Sequence, residues 1–299
     1  MRKGDTNASP TILVTGVNGQ VGFELLRTLQ GLGRVVPCDR STLDLSDLER
    51  VRTFVRDVKP SLIVNPAAYT AVDQAETDVD AARRLNADLP RVFAEEMARS
   101  GGALIHYSTD YVFDGTNTEA YTETDATNPA NVYGATKRDG ERAIAATGCA
   151  HLILRTSWVY GQRGRNFLLT MLKLGAERPE LRIVADQVGA PTWSKTIAAA
   201  TSHIVAQGTA STGTDWWARR SGVYHLTSAG ATSWCGFAEA IFAVAMASHA
   251  PKIVPIASSD YPTPAKRPAN SRLAMDKLGA TFGLRMPDWR DALALCLAE

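Results

Sequence analysis

The chain has 299 residues, with 32 Lys and Arg against 31 Asp and Glu, for a formal net charge of +1. Its length allows one large domain or two modest ones, and 45% hydrophobic with 21% charged residues excludes extensive disorder. The balanced charge removes the long-range attraction that nucleic-acid binders and membrane-surface proteins use, so we expect neither kind of partner.

The first half of the chain alternates short apolar runs with amphipathic stretches. The predicted strands are 11–15, 34–38, 62–64, 103–107 and 151–155. Helical patterns lie between them at 23–29, about 46–58, 75–99 and 134–146. Ser46 and Glu49 have the spacing of a capping box at the start of the second helix. This alternation predicts an α/β fold with a doubly wound parallel sheet, a Rossmann domain.

Beyond about residue 157 the alternation is less regular. Helices are predicted at 166–176, 194–205 and 233–247, with short strands near 182 and 224. Prolines between 251 and 268 predict extended loops, and the Gly/Ser/Thr-rich stretch 208–222, with Trp216 and Trp217, predicts an exposed loop. We expect a nucleotide-binding domain at 10–157, to which about 192–230 returns. A smaller mixed substrate-binding domain is then formed by 158–191 and 231–299.

Cysteines and chain ends point to the compartment. The four cysteines, at 38, 149, 235 and 296, have no metal or redox spacing and are interpreted as reduced thiols. The polar N-terminus lacks the apolar core of a signal peptide, and no run approaches the ~20 apolar residues of a membrane span. We therefore expect a cytoplasmic protein.

A glycine-rich turn, Gly16, Gly19 and Gly22, lies between the first predicted strand and the first helix. Glycines there permit a tight turn and close approach of the backbone to a pyrophosphate, which then lies on the helix N-terminus. The turn, with Gln20 and Val21, is therefore predicted to bind a dinucleotide. Its Gly-x-x-Gly-x-x-Gly spacing resembles that of the extended short-chain dehydrogenases.

Asp39 ends the second predicted strand, where an acidic side chain accepts hydrogen bonds from ribose hydroxyls and favours NAD. Arg40 follows directly, and a guanidinium pairs well with the 2′-phosphate of NADP. The choice between NADH and NADPH stays open, and use of both is our preferred expectation. Other residues predicted to line the dinucleotide are Asp44, Leu45, Ala67, Ala68 and Tyr69.

Tyr133 and Lys137 are four residues apart and so share one face of a predicted helix. A carbonyl that receives hydride needs a proton, and a phenol with a pKa of about 10 is poorly matched to that exchange. We expect the Lys137 ammonium to lower the pKa of Tyr133 and to hold the nicotinamide ribose. The alternative is a surface tyrosine beside a solvated lysine.

Thr109 ends the fourth predicted strand, at the edge where open α/β sheets bind ligands. Its hydroxyl is predicted to polarise the substrate carbonyl as a third catalytic group. Simple capping of the backbone at the strand end is the alternative.

Longer motifs resemble those of the dTDP-4-dehydrorhamnose reductases, a family of extended short-chain dehydrogenases. The motifs are 16–22, 65–73 with Glu76, 108–113, 131–134 with Thr136 and Lys137, 155–160, 186–187 with 189–192, and 267–268 with 270–271. The resemblance implies NAD(P)-dependent reduction of a 4-keto dTDP-sugar, the last step of dTDP-L-rhamnose synthesis for surface polysaccharide. It assigns Tyr133 as proton donor, with Lys137 beside the cofactor.

The resemblance also implies the contacts of the dTDP-sugar. Thr109, Asp110 and Trp158 are implied to contact it, with Thr70 and Tyr111 as further candidates. Arg267 is placed to reach the diphosphate, since a guanidinium matches phosphate geometry. Two alternatives stay open, a core role for the Trp158 indole and a solvated loop charge for Arg267.

The resemblance also implies Mg²⁺ at a dimer contact, as some relatives have. Glu24 is in place for such a site, but Lys195 stands where an acidic residue is expected. Because a cation repels a bound cation, we predict no metal site and expect a monomer or a homodimer without a bridging metal.

Two other functions stay open. One is another extended dehydrogenase, such as a sugar-nucleotide 4-epimerase, and the other is a non-catalytic subunit that binds NADP.

Overall fold

A computed structural model of the chain describes residues 9–211, 215–246 and 249–299. The strands are β1 Thr11–Val14, β2 Arg34–Pro37, β3 Leu62–Asn65, β4 Ala103–Thr109, β5 Ala150–Thr156, β6 Val159–Tyr160, β7 Glu180–Val184, β8 Val188–Gly189, β9 Thr192–Trp193, β10 Gly222–His225, β11 Thr232–Ser233 and β12 Lys252–Ile256. The helices are α1 Gln20–Thr28, α2 Leu48–Val58, α3 Val72–Ala75, α4 Val79–Arg83, α5 Leu89–Ser100, α6 Val132–Ala146, α7 Phe167–Glu177, α8 Ser194–Ala210, α9 Trp216–Arg219, α10 Trp234–Ala245, α11 Asp276–Phe282 and α12 Trp289–Leu297.

Six strands of the described chain form one parallel sheet in the order β10-β5-β4-β3-β1-β2. The chain crosses to one side of β1 to form β2 and to the other side to form β3. Such a switch point leaves a crevice outside the carboxyl ends of the strands, where ligands bind. The predicted doubly wound parallel sheet is confirmed.

The central strands are buried on both faces, which explains why they are continuous apolar runs. Apolar side chains of α1 and α8 cover one face of the sheet, while those of α2, α5 and α6 cover the other. β2 is an edge strand with Pro37 as its last residue, and an edge tolerates the missing N–H of proline.

Asp47 caps α2, because its carboxylate accepts a hydrogen bond from the Arg50 N–H. The predicted capping box at Ser46 is therefore wrong by one residue. The Ser46 hydroxyl instead donates to Asp44 Oδ1 at 2.8 Å, which leaves Asp47 as the side chain at the helix start.

The single helix predicted at 75–99 is divided into helical segments. A π-helical turn, Arg84–Asp88, joins α4 to α5, and a break at 76–78 separates α3 from α4. Glu76 in that break accepts a hydrogen bond from the Val132 N–H at 2.9 Å, so its side chain serves the start of α6. Tertiary hydrogen bonds thus interrupt a segment whose local pattern is helical.

The exposed loop predicted at 208–222 is also wrong where the structure describes it. Trp216 begins α9, is 7% exposed and packs against Phe282. Residues 212–214 of that stretch lie outside the described residues. Burial of a large indole outweighs the loop-like composition around it.

The proline-rich stretch also contains regular structure. Pro255 lies in β12, which pairs in parallel with β7 beside Ile183, so extended loops describe only part of 251–268.

A second apolar core lies outside the main sheet, with buried side chains from α7, α10 and α12. β10, by contrast, pairs with β5 in the main sheet, and α8 packs on α1. Leu278 and Phe282 of α11 belong to the sheet core, although residues 231–299 were expected in the substrate-binding part. Within the described ranges, no helix combines the length and apolar character needed to cross a membrane.

Candidate active site

The glycine turn has the backbone geometry that an anion site needs. Gly16 has φ +56°, and its carbonyl accepts the Gly19 N–H at 2.8 Å. A Cβ on Gly22 would lie 2.2 Å from the Gly16 oxygen, so the turn has no space for a larger residue there. No side chain in the described chain caps the N-terminus of α1, which leaves N–H groups at Gln20 and Val21 for a ligand.

The loop after β3 closes against this turn at the switch point. A Cβ on Gly16 would lie 3.0 Å from the Ala67 nitrogen, so the two loops are nearly in contact. Asn86, in the π-helical turn, accepts the Tyr69 N–H through Oδ1 and donates through Nδ2 to the Tyr69 carbonyl and to Thr136 Oγ1. This amide fixes the loop 67–69 to helix α6.

Asp39 lies beside the glycine turn, where the Asn18 amide donates to its Oδ2 at 3.4 Å. Hydrogen bonds from Ser41 and Thr42 lower the pKa of Asp39 to about 2. Arg40 is exposed next to it, Asp44 is exposed, and Leu45 packs against the core on that side of the sheet. Of these residues, Asp39 is the one whose contact places it beside the glycine turn.

Tyr133 lies in the first turn of α6, whose start is capped by Asn131 accepting the Gly134 N–H. The Tyr133 side chain lies near the Thr109 hydroxyl, and the Tyr111 ring meets the Tyr133 ring edge-on at 5.8 Å. Thr109 Oγ1 donates to Asp110 Oδ1 at 2.9 Å and accepts the Tyr111 N–H at 3.1 Å. Thr109 thus caps the backbone, as the alternative held, and also contacts Tyr133.

Burial governs the acidity of these groups. It raises the pKa of Tyr133 above its ordinary value, an effect that the neighbouring Thr109 side chain only partly offsets. It also raises the pKa of Asp110 to about 6, and no described group pairs with Asp110 Oδ2. Tyr133 therefore keeps its proton at neutral pH.

Lys137 is 1% exposed, so it is not the solvated lysine of the alternative. Its Nζ donates to the Tyr107 carbonyl oxygen at 2.6 Å and lies 3.1 Å from His106 Nε2. Burial lowers the pKa of Lys137 to about 8. Its amine is bound to groups of β4, and the expected lowering of the Tyr133 pKa by Lys137 is not found.

Trp158 follows β5, whose Thr156 pairs with Thr109 of β4. Its backbone is left-handed, with φ +47°, a strained conformation for a bulky residue. The indole is partly exposed and stacks on Trp234 with ring centroids 3.5 Å apart. Because Trp234 also donates to Gln187 Oε1, the pair forms a fixed aromatic surface near the carboxyl edge of the sheet.

Arg267 is paired and is not a solvated loop charge. Its guanidinium donates to Asp73 Oδ2 at 2.7 Å and lies 5.9 Å from the centre of the Tyr111 ring. Arg267 is thus next to the Tyr133 cluster, by which we mean Tyr133, Thr109, Asp110 and Tyr111. Thr70 is exposed on the neighbouring loop.

Comparison with known proteins identifies the family. The family model described as RmlD substrate binding domain matches residues 10–299. A dTDP-4-dehydrorhamnose reductase of Burkholderia thailandensis is 53% identical, and the match covers 96% of this chain and 98% of that protein. The chain belongs to the dTDP-4-dehydrorhamnose reductase family.

Two further relatives agree with this assignment. The Escherichia coli K12 reductase is 41% identical over 96% of this chain and 97% of its own. A solved dTDP-4-dehydrorhamnose reductase from Bacillus anthracis, in complex with NADP, superposes with a TM-score of 0.89 at 33% identity, covering 97% and 99% of the two chains. The predicted family is thereby confirmed.

In this member of the reductase family, sequence reasoning missed residues that hold the site together. Asn86, His106 and Trp234 have no distinguishing motif, and their partners are distant in sequence. A signal existed only for His106, a histidine in the middle of a buried apolar run. Burial of an imidazole in a strand usually implies partners for both nitrogens.

The expected site of a bridging metal in the family contains a lysine. Lys195 donates to Glu299 Oε1, and this hydrogen bond, with a smaller contribution from the charge of Glu24, raises the pKa of the Lys195 amine. The Glu299 carboxylate is thus paired with an ammonium. Over the described ranges, no group of three His, Cys, Asp or Glu side chains is arranged to hold a metal.

Proposed function

We propose that this chain reduces the 4-keto group of dTDP-4-dehydro-β-L-rhamnose with NADPH or NADH, giving dTDP-L-rhamnose for polysaccharide synthesis. The observation that carries the proposal is the close approach of Tyr133 to Thr109, the last residue of β4, at the carboxyl edge of the sheet. It lies in a chain 53% identical to a reductase of that name.

The crevice at the switch point fits a nicotinamide dinucleotide. Gly22 has no space for a Cβ, and the uncapped start of α1 offers N–H groups to a pyrophosphate. Because the pKa of Asp39 is about 2, this side chain is negative at neutral pH and favours ribose hydroxyls. The exposed Arg40 beside it offers a partner for a 2′-phosphate, so both cofactors remain in the proposal. A bound reduced nicotinamide supplies the hydride.

Tyr133 supplies the proton. Its raised pKa keeps the phenol protonated at neutral pH, so its hydroxyl can donate to a carbonyl oxygen and protonate the alkoxide that forms there. Thr109 donates to Asp110 in this structure, and a substrate carbonyl would compete with Asp110 for that proton. A charged Lys137 has three N–H bonds: one is donated to the Tyr107 carbonyl, a second reaches His106 Nε2 when that nitrogen accepts, and the third is left for a cofactor ribose.

The dTDP-sugar would lie between the Tyr133 cluster and the Trp158–Trp234 surface. A flat indole pair suits the face of a sugar ring, and the Arg267 guanidinium suits a diphosphate. Asp110, Tyr111 and Thr70 line the same side and are further proposed contacts. We also propose a dinucleotide part at 10–157 and a substrate part at 158–191 and 231–299. Helix α11 lies in the last of these ranges but packs against the core of the dinucleotide part.

Turnover with freshly generated keto-sugar nucleotide and each reduced cofactor tests the proposal. We expect stoichiometric loss of reduced-nicotinamide absorbance and formation of dTDP-L-rhamnose. A 4-epimerase would give product without net oxidation, and a non-catalytic subunit would bind cofactor without turnover. Either of those results would contradict the proposed reduction.

A further inference from the structure

A row of buried polar side chains, called the polar row below, runs behind Lys137, away from the reacting groups. Thr15 Oγ1 lies 2.6 Å from Asn65 Oδ1, Asn65 Nδ2 lies 3.0 Å from His106 Nδ1, and His106 Nε2 lies 3.1 Å from Lys137 Nζ. Thr15, Asn65 and His106 are all 0% exposed. This polar row links Thr15, which lies between β1 and Gly16, to β3, β4 and α6.

Each hydrogen bond needs one donor and one acceptor, which restricts how protons are arranged along the polar row. A charged Lys137 has only donors, so His106 Nε2 must then accept, and a neutral imidazole carries its proton on Nδ1. That proton requires the oxygen of Asn65, which faces Nδ1 after a half-turn of the amide. A neutral Lys137 accepts instead, so the ring proton then lies on Nε2 and Nδ1 accepts from Asn65 Nδ2.

Thr15 makes both arrangements possible. A hydroxyl both donates and accepts, so Thr15 can bond to either end of the Asn65 amide. The orientation with Asn65 Nδ2 toward His106 is the arrangement that suits a neutral lysine. Every side chain of the polar row then has a hydrogen-bond partner in both charge states of Lys137, as a buried network requires.

We propose that His106 is a positioning residue: its neutral ring holds the Lys137 amine against the Tyr107 carbonyl in either charge state and changes tautomer when the lysine changes charge. When Lys137 loses its charge, an N–H bond breaks at Nζ and one forms at His106 Nε2. Nδ1 loses its N–H in the same change, so the ring keeps one proton throughout and the net result is one proton released to solvent. The role in catalysis rests on the proposed function, but the tautomer change does not.

The charged groups around Lys137 agree with this assignment. Burial and the neighbouring Lys137 charge lower the pKa of His106 well below its ordinary value, which keeps the ring neutral. On α6 itself, Glu141 raises the pKa of Lys137, but Arg155 of β5 engages both oxygens of that carboxylate. Asp110, after β4, faces Tyr133, on the same helix as Lys137.

Nitrogen-15 NMR of the ligand-free protein tests the tautomer directly. We expect the His106 ring nitrogens to change from the Nδ1–H to the Nε2–H pattern between pH 7 and 10, following the charge of Lys137. In Lys137→Met the ring should keep one tautomer over that range. A single His106 tautomer in the wild type at every pH, or a charged ring, would overturn the proposal.

Two variants of His106 separate positioning from bulk structure. His106→Gln retains an oxygen that accepts from the ammonium, whereas His106→Leu fills the space without an acceptor. We define the alkaline limb of the kcat profile as the fall in kcat at high pH, where Lys137 loses its charge. For His106→Leu we expect this limb to lie about one to two pH units lower, because the ammonium loses a charge-assisted hydrogen bond. NADPH affinity measured by fluorescence at pH 7 should fall about tenfold. His106→Gln should stay within about half a pH unit and threefold in affinity.

His225 offers a matched control, because its ring is equally buried on β10 of the same sheet and bonds to the Ala274 carbonyl. His225→Leu should lower stability without moving the alkaline limb. An equal displacement in His225→Leu and His106→Leu would reduce His106 to a structural role and overturn the proposal. Absence of sugar reduction by the wild type would contradict the proposed function alone, since the NMR result stands without substrate.

Discussion

Lys137 and Arg155 are two buried cations below the same edge of the sheet, and they are held in opposite ways. Arg155 engages Glu141 through two parallel hydrogen bonds of 2.9 and 2.7 Å, so its charge is matched. Lys137 is bound by a carbonyl oxygen and a neutral ring, and its pKa falls to about 8. A matched guanidinium stays charged and supports the fold, whereas an ammonium with neutral partners can change charge near the working pH.

Replacing each cation by methionine has the largest expected effects and can break the comparison. Lys137→Met should lower kcat/KM by ~10²-fold or more. The lowered pKa means that the folded wild type gains stability as pH rises from about 8 toward the unfolded value, by on the order of 1–3 kcal/mol, and the variant should lack this rise. Urea unfolding at pH 7 and 10 measures it.

Arg155→Met should instead destabilise the protein by about 3–5 kcal/mol at both pH values, because the buried Glu141 carboxylate loses its partner. The comparison fails if the two variants show the same pattern of lost stability.

Tyr133→Phe sharpens the functional side of the comparison. Loss of the phenolic proton should lower turnover by ~10²-fold or more, while cofactor affinity changes little. Stopped-flow turnover and fluorescence titration with NADPH give the two numbers. Turnover like that of the wild type would remove Tyr133 from its proposed role.

Asp110→Asn extends the comparison to a buried anion. Because burial raises the pKa of Asp110 to about 6, the wild type loses stability as pH rises from about 4 to 6. The variant should therefore be more stable by about 1–3 kcal/mol at pH 7 and equal at pH 4. Asp114→Asn is the control: hydrogen bonds led by Thr116 lower the Asp114 pKa, so its replacement should destabilise at pH 7. If both variants changed the stability at pH 7 in the same direction, the opposite pKa shifts assigned to Asp110 and Asp114 would be contradicted.

Asp39→Ala has the smallest expected effect, because this anion is near the surface. NADH use should weaken by about tenfold, the loss of roughly one hydrogen bond to a charged group, with NADPH use less affected. Steady-state kinetics with both cofactors measure the ratio. Equal losses for the two cofactors would contradict a role in specificity.

Local patterns predicted the strands and the glycine turn of the first half of the chain well. Ile12 and Leu13 belong to a buried apolar strand, and Gly16 has the positive φ that the turn after it requires. These features depend on neighbours in sequence, so they were readable. The prediction for Trp216 was wrong for the converse reason: one side chain that packs against it, Phe282, is far along the chain.

The sequence by itself determined the alternation of strands and helices, the glycine turn and the residue types of the reductase family. Only the tertiary structure decided the partners of Lys137, because His106 and Tyr107 reach it across the packing of β4 on α6. The same packing removes water, which raises the pKa of Tyr133 and lowers that of Lys137. Acidity in such a site depends on which groups exclude solvent, and residues distant in sequence provide them.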